Sequence, residues 1–186
     1  MGQDTDTHEV EGAQERPVRE SVAEDGRFGA VTVRLDTALG EVTVEGGAVP
    51  RVELRRAEGA ETDDHVPVGT RDGKRLALTV DGEEAVLAPS KGRLTRRSFA
   101  VDVRHAGRAW RLVPDSVAGS RLLRDGEHVG DFGSQGDGRV LAEWREGAEP
   151  EALDAALGYA LAAAFGTGAH PMWMLVVDAV GDIVPG

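Results

Sequence analysis

The stretch Glu149–Gly168, EPEALDAALGYALAAAFGTG, decides how the rest of the chain is read. It predicts a helix over 150–165. Pro150 suits a first helical position, where no N–H is needed and φ is already set. Glu149, Glu151 and Asp154 put negative charge at the positive end of the helix dipole. Gly166 and Gly168 can take the left-handed conformation that closes a helix, and Pro171 prevents continuation.

Between those ends Leu153, Leu157, Leu161 and Phe165 recur every fourth residue, and alanines fill the other faces. From Ala155 to Phe165 no residue is charged, and Tyr159 carries the one polar side-chain atom. A surface helix keeps a polar face; one that is apolar all round is buried. A membrane span needs roughly 20 apolar residues, and this run is about half that. The segment therefore predicts a buried helix of a soluble protein, clad by other elements, with small residues that let neighbouring backbone approach.

The chain before the helix supplies that cladding. From Arg27 onward apolar residues alternate with polar ones: Phe28, Val31, Val33 and Leu35; Val42 and Val44; Val52 and Leu54; Leu76, Leu78 and Val80, followed by Ala85-Val86-Leu87. The same period returns at Phe99, Val101 and Val103, followed by Ala109-Trp110-Arg111-Leu112-Val113, Leu122-Leu123, Val129 and Phe132, then Val140, Ala142 and Trp144. Asp81-Gly82, Ala106-Gly107 and Asp125-Gly126 mark tight turns. Pro50 points to an edge position for its strand. The polar stretch Ala57–Asp72 reads as a loop. This sums to about nine or ten short strands. The expected fold class is α+β, mostly antiparallel β: a barrel-like or strongly curled sheet around one buried hydrophobic helix near the C-terminus. Residues 1–26 read as a disordered acidic tail, rich in Asp and Glu with only Arg16 and Arg19 opposing, and 27–186 as a single β-rich domain. The apolar run Met172–Val177 fits a buried strand or a second helix.

At 186 residues the chain can bury one ordinary core. Its net charge of −12 argues against non-specific nucleic-acid binding, which needs a basic field. The absence of cysteine removes disulfides and thiolate zinc sites, and fits a reducing, cytoplasmic location. No basic segment followed by an apolar run marks a secretory signal. Abundant arginine, alanine and glycine match proteins of GC-rich bacterial genomes.

No motif assigns an activity. Gly166-Thr167-Gly168 follows a helix instead of preceding one, so it cannot present a helix N-terminus to phosphate. Ser98, Ser116 and Ser120 lack a nucleophile elbow. Asp63, Asp64 and His65 adjoin, but His8, His105, His128 and His170 are scattered without zinc-ligand spacing. No catalytic residue, metal site or cofactor is expected. The one charge pattern that stands out is Lys91, Arg93, Arg96, Arg97, Arg104, Arg108 and Arg111, opposed within that segment only by Asp102. Guanidinium forks suit carboxylate or phosphate, so these seven are the candidate ligand-binding residues. The competing reading is a solvated outer face of two strands, neutralised by acids elsewhere. An acidic tail tethered beside such a face would screen it loosely and in a salt-dependent way.

The segment Ala109–Phe132, AWRLVPDSVAGSRLLRDGEHVGDF, together with the helix Leu153–Phe165, resembles the tubby-like superfamily, which includes the LURP-one-related and phospholipid scramblase proteins. The resemblance spans Phe28–Gly168 and implies a β-barrel threaded by a hydrophobic C-terminal helix. The chain departs from it by continuing past the helix through Val184, and by lacking the scramblase cysteines and calcium segment. Some members bind phosphoinositides through basic residues; no position here matches those residues. Three functional readings follow. The leading one is a non-catalytic intracellular binding or interaction domain. The others are an anion or lipid-headgroup binder using 91–111, and an enzyme whose site assembles from distant residues. Partners would be an anionic ligand, a lipid headgroup or an acidic protein.

Overall fold

The computed structural model describes residues 18–92, 96–115, 119–134 and 136–166. The expected strand or helix at Met172–Val177 lies outside them, as do residues 1–17. Eleven strands and one helix follow in order: β1 (Val18–Asp25), β2 (Gly29–Asp36), β3 (Glu41–Gly46), β4 (Val49–Arg56), β5 (Leu76–Val80), β6 (Glu83–Pro89), β7 (Val101–His105), β8 (Arg108–Pro114), β9 (Gly119–Arg124), β10 (Glu127–Ser134), β11 (Val140–Trp144) and α1 (Ala152–Phe165). Each strand pairs antiparallel with the next, so sheet order equals chain order. Local chemistry sets this meander. Asp81-Gly82, Ala106-Gly107 and Asp125-Gly126 each have positive φ at both residues, the turn whose twist matches a hairpin.

The sheet curls into a nearly closed barrel with α1 inside. The alternating residues point inward as their period requires: Val31, Val33, Leu35, Val42, Val44, Val52, Leu54, Val103 and Leu122 are all 0% exposed. Helix α1 packs against β2, β3 and β4 on one side and β8 to β11 on the other. Every residue from Asp154 to Phe165 is buried. Burying each of Leu157 and Leu161 stabilises the fold by roughly 1.5–3 kcal/mol. Close approach is built in at Gly158, where a Cβ would overlap the Phe132 ring. That ring belongs to an edge-to-face chain, Phe28–Trp144–Phe132–Tyr159, with centroid spacings of 5.6, 5.5 and 5.5 Å.

Four sequence expectations change. Val18–Asp25, expected to lie within the disordered tail 1–26, forms β1 and pairs along its full length with β2. Its charged residues lie mostly outward, while backbone pairing, not apolar content, holds the strand. The strands number eleven, with β1 the one missed. The helix starts at Ala152 and not at Pro150, because Glu151 is its extended N-cap. The Glu151 N–H donates to Asp154 Oδ2 at 2.7 Å. Pro50 lies in β4, between β3 and β5, not at an edge. Its missing N–H is tolerated because the β3–β4 register shifts between Val44 and Gly46, and pairing with β5 begins only at Val52. Gly166 ends the helix as expected, with φ 62° and its N–H donating to Ala162 O at 2.9 Å.

Strands β1 and β11 bound the remaining seam. Every neighbour is antiparallel and both bounding strands are odd in sequence order, so they run in the same direction. No ladder joins them among the described residues. Side chains bridge them instead: Ser21 Oγ donates to Gly138 O at 2.7 Å, and Trp144 Nε1 to the Asp25 carboxylate at 3.0 Å. Asp25 is buried and also accepts from Tyr159 OH at 3.0 Å and from the N–H groups of Arg27 and Phe28 at 2.8 and 3.1 Å. Burial, reinforced by the Asp25 charge, pushes the Tyr159 hydroxyl well above the usual tyrosine range.

Candidate ligand site at one end of the barrel

A helix fills the barrel lumen, so a ligand must bind at an end or on the outer wall. Two ends are defined by chain direction. One carries the N-terminus of α1 and the tight hairpin turns. The other carries the longer connections 57–75 and 90–100 and the C-terminus of α1.

At the first end the helix N-terminus is tied into the wall. Asp154 is 0% exposed and accepts from Trp110 Nε1 at 2.7 Å and from Arg124 Nη1 at 2.5 Å. Arg108 forks onto both oxygens of Glu151 at 2.7 and 3.0 Å. That hydrogen bond holds the Glu151 carboxyl below its ordinary range.

At the second end the connection after β4 folds back as a plug. Val66, Val68 and Thr70 are buried, and the Val68 N–H donates to Ala164 O at 3.0 Å, satisfying a carbonyl of the last helical turn. Arg56 holds the plug from one side, donating to Val68 O at 2.8 Å and Ala38 O at 2.7 Å. On the other side opens a cavity of about 610 Å³. Val66, Phe99 and Phe165 give it apolar wall; Arg71, Arg75, Lys91, Glu61, Asp63 and Asp72 give it charge.

Arg71 is the distinctive group. Its guanidinium lies between two aromatic rings, 5.2 Å from the Phe99 centroid and 5.1 Å from that of Phe165. Nη1 donates to Ser90 O at 2.9 Å and Phe99 O at 3.0 Å. Among the described residues Nε and Nη2 have no partner, and no carboxylate pairs with it. Burial lowers its pKa to about 10, opposed by the Asp63 charge, so it remains a cation at neutral pH. A partly buried guanidinium with unspent donors facing a cavity is equipped to take a carboxylate or phosphate.

The seven sequence candidates do not form one site. Lys91 lines this cavity. Arg93 lies outside the described residues, and the Arg96 side chain is likewise not described. Arg97 pairs with Asp115 at 3.4 Å, Arg108 with Glu151 at 2.7 Å and Arg111 with Asp102 at 3.6 Å. Arg104 points outward from β7. The strand acids Glu41, Glu45 and Glu53 pair with Arg51 and Arg55, not with the 91–111 segment. Sequence reading missed Arg71 because it stands in a stretch read as a polar loop. The available signal was Val66 and Val68, two apolar residues at strand spacing inside that loop.

His105 Nδ1 faces Glu84 O at 3.4 Å, and Asp102 is engaged by Arg111. Among the described residues no cluster of three His, Asp or Glu could hold a metal, and no helix is long and apolar enough to cross a membrane. No known family, no characterised protein and no solved structure matches this chain.

Proposed function

We propose that this chain is a non-catalytic binding module whose ligand site is the cavity beside Arg71, with Arg71 as the contact for an anionic group. The observation that carries the reading is the Arg71 guanidinium, held between Phe99 and Phe165 with two nitrogens unspent. The filled barrel supports it from another side: with α1 in the lumen, the cavity at the plug end brings apolar wall and charge together. A helix-filled antiparallel barrel is also what the tubby-like resemblance implies, and we retain membership of that superfamily as part of the proposal. The cysteine-free, acidic sequence fits the bacterial cytoplasm, where we place the protein.

The test is thermal unfolding of the full chain with 3-phenylpropionate and with phenyl phosphate, which pair one ring with a carboxylate or a phosphate. At a ligand concentration of 100 Kd the native state gains about 2.7 kcal/mol, a readily measured rise in Tm. At least one of the two is expected to give it. Losing a hydrogen bond to a charged group costs about 1.5–3 kcal/mol, so Arg71→Met should weaken binding about tenfold or more. Arg71→Lys, which keeps the charge without the fork, should fall between. No stabilisation by either compound, or equal affinity in Arg71→Met, removes this site.

A further inference from the structure

The same cavity carries charge of both signs, and this narrows its ligand. We infer that the site takes a zwitterion: a free α-amino acid with an apolar side chain. The inference rests on the cavity being a ligand site, as proposed above. Arg71, Arg75, Lys91, Glu61, Asp63 and Asp72 all line it, and among the described residues no ion pair joins any of the six. A polyanion such as a phosphorylated lipid headgroup would meet three carboxylates as well as three cations, and the repulsion cancels the attraction. A ligand with one carboxylate and one ammonium satisfies both sets.

The placement of individual groups supports the same class. Asp63 is the carboxylate whose charge acts on Arg71. Its Oδ1 accepts the His65 N–H at 2.9 Å, and its Oδ2 has no partner among the described residues. Arg71 therefore receives the ligand carboxylate while Asp63 receives the ammonium. Val66, Phe99 and Phe165 remain as a wall for the side chain. That wall separates an amino acid from phosphoethanolamine, a lipid-headgroup zwitterion with nothing apolar to place there.

Calorimetric titration of the full chain with four probes tests this: L-phenylalanine, 3-phenylpropionate, 2-phenylethylamine and O-phosphoethanolamine. The first three share a phenethyl skeleton and differ in which charges they carry. Phenylalanine is expected to bind at least tenfold more tightly than either half-molecule and than phosphoethanolamine. In Asp63→Asn, which keeps the acceptor for the His65 N–H, the affinities of phenylalanine and 3-phenylpropionate should converge. Arg71-dependent binding of 3-phenylpropionate with no gain for phenylalanine overturns the zwitterion and leaves the anion site standing. A preference that survives Asp63→Asn overturns it too. Tighter binding of phosphoethanolamine overturns the amino-acid class. If no probe binds, the site and the zwitterion fall together.

Discussion

Ala160→Asp is expected to prevent soluble folding. Ala160 is 0% exposed on a helix enclosed by the barrel. A carboxylate there has no room and no solvent. It would be driven to its neutral form, with a pKa raised by up to about 3–5 units. At about 1.4 kcal/mol for each of the roughly three units between an ordinary carboxyl and pH 7, protonating it costs about 4 kcal/mol at neutral pH. Overpacking adds about 1–3 kcal/mol more. Native domains are stable by only about 5–15 kcal/mol, so the total approaches or exceeds what the fold has. Ala156→Asp, also at 0% exposure, should behave alike. Soluble yield and Tm measured beside Ala160→Ser check this. A serine hydroxyl can bond back to the carbonyl one turn earlier and should cost far less. Soluble Ala160→Asp protein with an unchanged Tm would place the helix on the surface and undo the barrel.

Asp154→Ala is the second large effect, at about 3–5 kcal/mol by the usual penalty for breaking a buried ion pair from one side. The loss is spread over three donors. Arg124, whose side chain is 14% exposed, keeps a charge without its closest partner. The Trp110 Nε1 hydrogen and the Glu151 N–H lose their acceptor in the same step. Replacing both partners, as in Asp154→Leu with Arg124→Met, should restore part of the loss, since the unpaired charge is then gone. Denaturant unfolding of the single and double variants measures the difference. Equal destabilisation by the single and double changes would mean that helix capping, not charge pairing, is the role of Asp154.

The same residues show how far sequence reading reached. The period-two valines and the alanine-rich helix fix an antiparallel sheet around a buried helix, because burial on one face and on all faces leaves different spacing. β1 escaped because its side chains, Arg19, Glu20 and Glu24 among them, carry the composition of a solvated tail, whereas its ordering comes from backbone pairing with β2. The basic cluster was legible as charge but not as a site. Arg111 finds Asp102 through the β7–β8 register, Arg108 finds the helix N-cap Glu151, and Arg97 finds Asp115 just past β8. Arg71 was not legible, because its meaning depends on Phe99 and Phe165, distant in sequence and brought together by the plug.

The parity of the sheet has a mechanical consequence. Alternately directed staves keep antiparallel neighbours all the way round a cylinder only when their number is even. With eleven, the first and last point the same way, and among the described residues no ladder joins them. Load and thermal breathing should concentrate there, because side-chain bridges such as Ser21–Gly138 replace a row of amide bonds. In hydrogen–deuterium exchange, outward-edge amides of Val18–Asp25 and Val140–Trp144 should therefore label well before those of Val101–His105, which is laddered on both sides. Uniform protection around the wall would mean that the joint is as tight as any other stave. Early labelling there would make it the line along which the cylinder unzips, and the place where a covalent staple between β1 and β11 would slow unfolding most.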